Sequence, residues 1–209
     1  MIKDIIKATK RRVFASQIMR SYRLRQEYQQ WLKAGRPVPP ANLYKHMVVR
    51  EYAKKFKLRV FVESGTYLGE MISAVQKVFD KIYSIELDQA LYEKAKAKFA
   101  GKKRIVIFQG DSANVMPSVL ALIDRPSLIW LDGHWSGGFT TKGVLNTPIR
   151  GELRHIFAHS VRGHVILIDD ARCFTGKDDY PTLDELRDLV HSAGSHRRFE
   201  VKDDIIRIC

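Results

Sequence analysis

Thiols are scarce in this chain: of 209 residues only Cys173 and Cys209 are cysteines. Two such residues far apart give neither a disulfide framework nor a metal-binding thiolate pair, which fits a reducing compartment. No apolar run approaches the ~20 residues a membrane-spanning helix needs. The opening Met1-Ile2-Lys3-Asp4-Ile5-Ile6-Lys7 lacks a signal-peptide core, so a cytoplasmic protein is expected. Internal repeats and low-complexity segments are missing too, which excludes solenoids and disordered tails. Acids are rare at one end only. Residues 1–60 hold 16 Lys and Arg against Asp4, Glu27 and Glu51, and this imbalance equals the whole net charge of +13; residues 61–209 are neutral.

The basic stretch is interleaved with Ile2, Ile6, Phe14, Ile18, Tyr22, Tyr28 and Trp31. Such a strip suits an anionic membrane surface, a nucleic-acid backbone or a second subunit, or it is a solvated helix whose apolar side docks on its own domain. Its apolar spacing is irregular, which favours docking or a homo-oligomeric contact over nucleic acid, and a peripheral membrane contact stays secondary. Pro37, Pro39 and Pro40 end this first helical region, because proline removes a donor and blocks the preceding turn. The expected organisation is a basic helical extension over 1–42 and one domain over 43–209, since 45% hydrophobic composition suffices for a single core.

Past a helix near 43–56, apolar runs and helical segments alternate. Strands are expected at 59–63, 81–86, 104–108, 127–132 and 163–169, with helices at 69–79, 89–99, 112–124, 148–159 and 181–192. This is the pattern of a mostly parallel sheet covered on both faces. Closing strands around 199–201 and 205–208 are too close for a helical crossover, so they pair antiparallel through a turn at Asp203-Asp204.

The most informative stretch is Val60-Phe61-Val62-Glu63-Ser64-Gly65-Thr66-Tyr67-Leu68-Gly69, with Glu86 closing the next strand. Strand, glycine turn, helix and an acid at the second strand tip form the grip for an adenosine-containing cofactor. Glycines let a ligand approach the backbone, and Glu86 stands ready to accept from a ribose diol. The three-glycine pyrophosphate fingerprint is incomplete. Glu63 beside the turn repels a pyrophosphate but suits an ammonium group, as on the amino-acid end of S-adenosylmethionine.

Ligands sit at the carboxyl ends of such strands, and acids collect there: Glu63, Glu86, Asp111 before Ser112, Asp132, and Asp169 with Asp170. Asp111 and Ser112 both read as helix caps, Ser112 the more so, while Asp111 additionally suits the adenine amino group. Asp132, Asp169 and Asp170 repel one another unless a positive group lies between them. That group is either a hard cation such as Mg²⁺ or an arginine, Arg172 or Arg150. His134 follows Asp132 in a loop with Trp135, Gly137 and Gly138, and is suited to take a proton from a substrate hydroxyl near neutral pH. Tyr92 and Lys96 have the spacing of a short-chain dehydrogenase pair but fall too early for that catalytic element, so they read as a solvated helical face.

The segments Phe61 to Gly69, Ser84-Ile85-Glu86-Leu87-Asp88, Gly110-Asp111-Ser112, Leu131-Asp132-Gly133-His134 and Ile168-Asp169-Asp170 together resemble the class I S-adenosylmethionine-dependent methyltransferases. Within them the chain is most similar to the metal-dependent macrocin O-methyltransferase group. The resemblance covers about residues 43–209 and leaves the extension unmatched. It implies a Rossmann-like doubly wound, mostly parallel seven-stranded sheet with an antiparallel C-terminal strand. By the same resemblance Glu63, Gly65, Thr66 and Gly69 hold the methionine part, Glu86 the ribose, and Asp111 with Ser112 the adenine edge. Mg²⁺ falls on Asp132, Asp169 and Asp170, and the proposed base on His134, where relatives commonly carry an aspartate. The implied activity is O-methylation of a small molecule or glycan. Two alternatives stay open: an NAD-dependent oxidoreductase, and a non-catalytic protein of this fold that binds polyanions through the extension.

Overall fold

The computed structural model describes residues 2–133, 146–194 and 197–209, with side chains from residue 18 onward in the first helix. Helix α1 spans Ile2–Lys33 and α2 spans Asn42–Lys55. There follow β1 (Val60–Ser64), α3 (Glu70–Val75), β2 (Lys81–Glu86), α4 (Gln89–Lys98), β3 (Ile105–Gln109), α5 (Ser112–Leu120) and β4 (Leu128–Leu131). The chain closes with α6 (Ile149–Ala158), β5 (Val165–Ile168), a 3-10 turn at Ala171–Cys173, α7 (Leu183–Ser192), β6 (Phe199–Lys202) and β7 (Ile205–Ile208). The seven strands form one sheet in the order β3-β2-β1-β4-β5-β7-β6. All neighbours run parallel except β7, which is antiparallel to both β5 and β6. This is the doubly wound architecture expected from the alternating pattern.

Strand residues are apolar on both faces because both are covered. Val60 and Val62 of β1 join Ile166 and Ile168 of β5 in one layer, while Phe61 joins Val165 and Leu167 in the other. The hairpin turns at Asp203 and Asp204, both in the left-handed region. That is the backbone a two-residue turn demands, and aspartate tolerates it.

Helix α3 is shorter than the apolar pattern implied, ending at Val75 rather than near residue 79. The chain leaves the helix so that Phe79, 1% exposed, can enter the core and stack on Phe61 at 5.0 Å. A buried aromatic outweighs the few tenths of a kcal/mol per residue of helix propensity.

The extension docks on the domain. Trp31 is buried against Tyr44, ring centres 4.9 Å apart, and its indole N–H donates to the Pro37 carbonyl at 2.7 Å. Arg36 lies over both rings and pairs with Asp203 at 2.6 Å, while the Tyr44 hydroxyl donates to the same carboxylate. Burial, and then Asp203, push the Tyr44 phenol up to about 12. Arg20 of α1 also pairs with Glu70 at the start of α3. No helix among the described residues is long and apolar enough to cross a membrane.

Candidate functional site

Strand order reverses between β1 and β4, because β2 and β3 extend one way and β4 and β5 the other. A crevice opens at the carboxyl ends beside such a switch point. The Asp132 N–H donates to the Ser64 carbonyl at 3.2 Å, which brings the end of β4 against the turn after β1. Gly65, at φ +84°, is required by that approach: a Cβ there would collide with the Asp132 carbonyl. Gly69, at φ +63°, is closed in by Phe99, whose ring would lie 2.6 Å from an added Cβ. Both glycines therefore hold backbone where side chains do not fit.

Glu86, 6% exposed, accepts the Tyr67 N–H at 2.7 Å on one oxygen and the Asp88 N–H at 3.0 Å on the other. The acid at the tip of β2 thus fastens the glycine turn. Its carboxyl is held above the ordinary range by burial, against the pull of those N–H groups. Glu63 lies deeper, 1% exposed, and accepts from the Ser84 hydroxyl at 2.6 Å. Burial raises its carboxyl to about 8, opposed by Ser84 and assisted by the charges of Asp132 and Glu86. Thr66 is buried and turns its hydroxyl inward to Ser84 at 2.5 Å. Asp111, not Ser112, caps α5, accepting the Ala113 N–H at 2.9 Å. Ser112 is the first helical residue and is buried. Ser64, overlooked in the sequence, brings a buried hydroxyl that has no hydrogen-bond partner among the described residues.

The second group of acids carries the largest departure from expectation. Lys45 reaches from α2 to the ends of β4 and β5, where its ammonium pairs with Asp169 and lies 3.9 Å from Asp170. Burial lowers the Lys45 pKa, but the charges of Asp169, Asp132 and Asp170 outweigh it and hold the amine above its ordinary value. Burial raises the Asp169 carboxyl, with Lys45 opposing and Asp170 adding to the rise. Asp170 takes a second cation, Arg172 at 2.7 Å, and Arg172 also pairs with Asp204. Arg150, the other arginine considered, pairs instead with Glu185 at 2.9 Å.

As arranged, these three acids do not fit Mg²⁺. A divalent ion 4 Å from the Lys45 ammonium would meet a repulsion of roughly 8 kcal/mol at an effective dielectric of 20. Among the described residues no three His, Cys, Asp or Glu side chains converge as a metal-holding group. His134 and Trp135 lie outside the described residues. Tyr92 and Lys96 are on α4, with the ammonium 5.3 Å from the ring centre; they form a helical surface pair, away from the crevice.

Asp169 lines a half-open recess together with Gly133, Thr147, Glu152, Phe174 and Tyr180 among others. Glu152, Thr147 and Tyr180 were not legible in the sequence, because α6 and the segment before α7 are brought together only by the sheet. The enclosed space of the recess, about 10 Å³, is that of roughly one water molecule.

No family model and no curated protein matches this sequence. Among solved structures, the O-methyltransferase TomG from Streptomyces achromogenes, involved in tomaymycin synthesis and in complex with SAM, aligns with a TM-score of 0.59 at 13% identity, over 88% of this chain and 87% of that one. An O-methyltransferase from Bacillus cereus in complex with SAH aligns at 0.54 and 14% identity, over 88% and 89%. The SAH-bound Podospora anserina methyltransferase PaMTH1 aligns at 0.53 and 16% identity, over 88% and 86%. Identity this low speaks to architecture alone: the chain shares the doubly wound, Rossmann-like fold of these structures.

Proposed function

We propose that this protein is an S-adenosylmethionine-dependent O-methyltransferase acting on a hydroxyl of a small molecule, with a glycan or glycosylated metabolite as the acceptor class. The observation that carries this reading is the β1–β2 edge, where Gly65 and Gly69 hold a tight turn in left-handed backbone that a side chain would not fit and Glu86 is fixed across it. Glu63 and Glu86 bring carboxyl oxygens to the side where an ammonium and a ribose diol would lie, and Ser64 offers an unused hydroxyl. Three structures of the same fold hold SAM or SAH.

The bound sulfonium would supply an electrophilic methyl carbon. The chain's part is to bind, orient and exclude water. In this reading Gly65, Gly69 and the backbone of Thr66 seat the amino-acid end, Asp111 the adenine side, and the open mouth of the recess beside Asp169 the acceptor. His134 is our assignment for the proton acceptor, two residues beyond Asp132. Methyl transfer then moves one methyl from sulfur to oxygen, and the hydroxyl proton passes to the histidine.

The test is transfer from methyl-tritiated S-adenosylmethionine to a panel of phenols, glycosides and polyhydroxylated rings. Base-stable label in the small-molecule fraction, as expected of an ether, supports the reading. Label confined to added RNA or to base-labile esters overturns it. An NAD-dependent oxidoreductase draws support from the fold class alone, and the missing third glycine weighs against it.

A further inference from the structure

The three acids at the ends of β4 and β5 need a positive partner, and one comes from outside the sheet. Lys45 lies 124 residues before Asp169 in the chain, yet its ammonium makes a charge-assisted hydrogen bond to that buried carboxylate. The side chain of Lys45 is only 14% exposed and that of Asp169 1%. Asp170 is held from the other side by Arg172, in a left-handed backbone conformation at φ +57°. Hard cations bind carboxylate oxygens that are free to converge. Here one oxygen of Asp169 accepts from an ammonium and the other from the Asp170 N–H at 3.0 Å, and one oxygen of Asp170 lies between an ammonium and a guanidinium.

We propose that Lys45 is the resident cation of this cluster, standing in for a divalent metal, so that the positive charge beside the acceptor recess is carried by the chain itself. Asp169 lines that recess, which sets the ammonium one residue away from whatever enters it. The consequence for catalysis, methyl transfer that is insensitive to chelators, rests on the methyltransferase reading. The charge assignment does not, and it has its own test.

That test is Mn²⁺ binding followed by electron paramagnetic resonance of the free ion, on the full chain and four variants. Wild type and Lys45→Arg are expected to leave the free-ion signal unchanged at millimolar Mn²⁺. Lys45→Met, with the acids released from their cation, is expected to bind one Mn²⁺ at least tenfold more tightly, and Lys45→Met/Asp169→Asn to lose that binding. Circular dichroism of each variant establishes that it is folded. If removing Lys45 prevents folding, wild type and Lys45→Arg decide the matter alone. Stoichiometric Mn²⁺ binding by wild type, abolished in Asp169→Asn, overturns the proposal. So does a folded Lys45→Met that binds no better than wild type. A protein that fails to bind S-adenosylhomocysteine but gives the expected Mn²⁺ pattern would lose the methyltransferase reading and keep this one.

Discussion

The carboxylate of Glu86 accepts the backbone N–H of Tyr67 at 2.7 Å, tying the tip of β2 to the turn after β1. Tyr67 sits at φ +47°, a conformation that non-glycine residues adopt at a cost. The Glu86 bond helps hold it there. Glu86→Ala leaves two backbone donors without this acceptor, so it is expected to lower stability by about 1–3 kcal/mol in urea unfolding. A variant as stable as wild type would mean the carboxylate does not organise the turn.

Gly65→Ala meets two penalties at once, a left-handed φ and a collision with the Asp132 carbonyl. The expected loss is at least about 2 kcal/mol. Urea denaturation measures it, and a change under about 0.5 kcal/mol, the ordinary surface value, contradicts the close approach of β1 and β4.

Glu63 gives a pH dependence of defined sign. Its folded carboxyl titrates near 8, above the ordinary 4.5, because it is buried. Below pH 4.5 both folded and unfolded chains are protonated there, and its contribution is fully favourable. Between 4.5 and 8 the unfolded chain ionises first, so stability falls as pH rises and levels off above 8. The total is on the order of 4 kcal/mol. Glu63→Gln should remove this slope and be more stable than wild type at pH 8. Denaturation midpoints from pH 5 to 8 decide it, and parallel curves for the two proteins would contradict the buried, neutral carboxyl.

Two histidines act in the opposite sense. His46 and His164 are both buried, and burial lowers each to about 4; nearby cations add to the fall for His46, and His159 with Arg197 does so for His164. Their contribution is intact above pH 6.5 and is lost as pH falls toward 4, by about 3 kcal/mol each. Wild type is therefore expected to be most stable between about pH 6 and 7. His164→Gln should show a shallower loss on the acid side.

Asp203 gathers Arg36 and Tyr44, 167 and 159 residues away in the chain, at the turn of the C-terminal hairpin. Asp203→Ala should make the peptide bond after Lys33 sensitive to brief trypsin treatment. Its cost in global stability should be small, about 1 kcal/mol. Cleavage kinetics identical to wild type would mean that Asp203 does not hold the extension.

The sequence carries the sheet openly, because each buried strand is a short apolar run and each turn is marked by glycine or aspartate. Asp203-Asp204 announces the hairpin, and Gly65 with Glu86 announces the crevice. What could not be read is what long-range packing decides. Lys45 looks like one more charge in a basic segment until α2 is laid beside β5. Phe79 shortens α3 because the core below Phe61 needs an aromatic. Asp111 rather than Ser112 caps α5, a one-residue difference in boundary that spacing does not resolve. The cation that Asp132, Asp169 and Asp170 require was legible as a need, whereas its identity was not.

The most direct measurement is isothermal titration of the protein with S-adenosylhomocysteine, with Glu86→Ala and NADH in parallel. The account predicts one-to-one binding in the micromolar range, about −8 kcal/mol, unaffected by EDTA, at least tenfold weaker in Glu86→Ala, and no heat from NADH. Binding of NADH in place of S-adenosylhomocysteine, or equal affinity in Glu86→Ala, would contradict it.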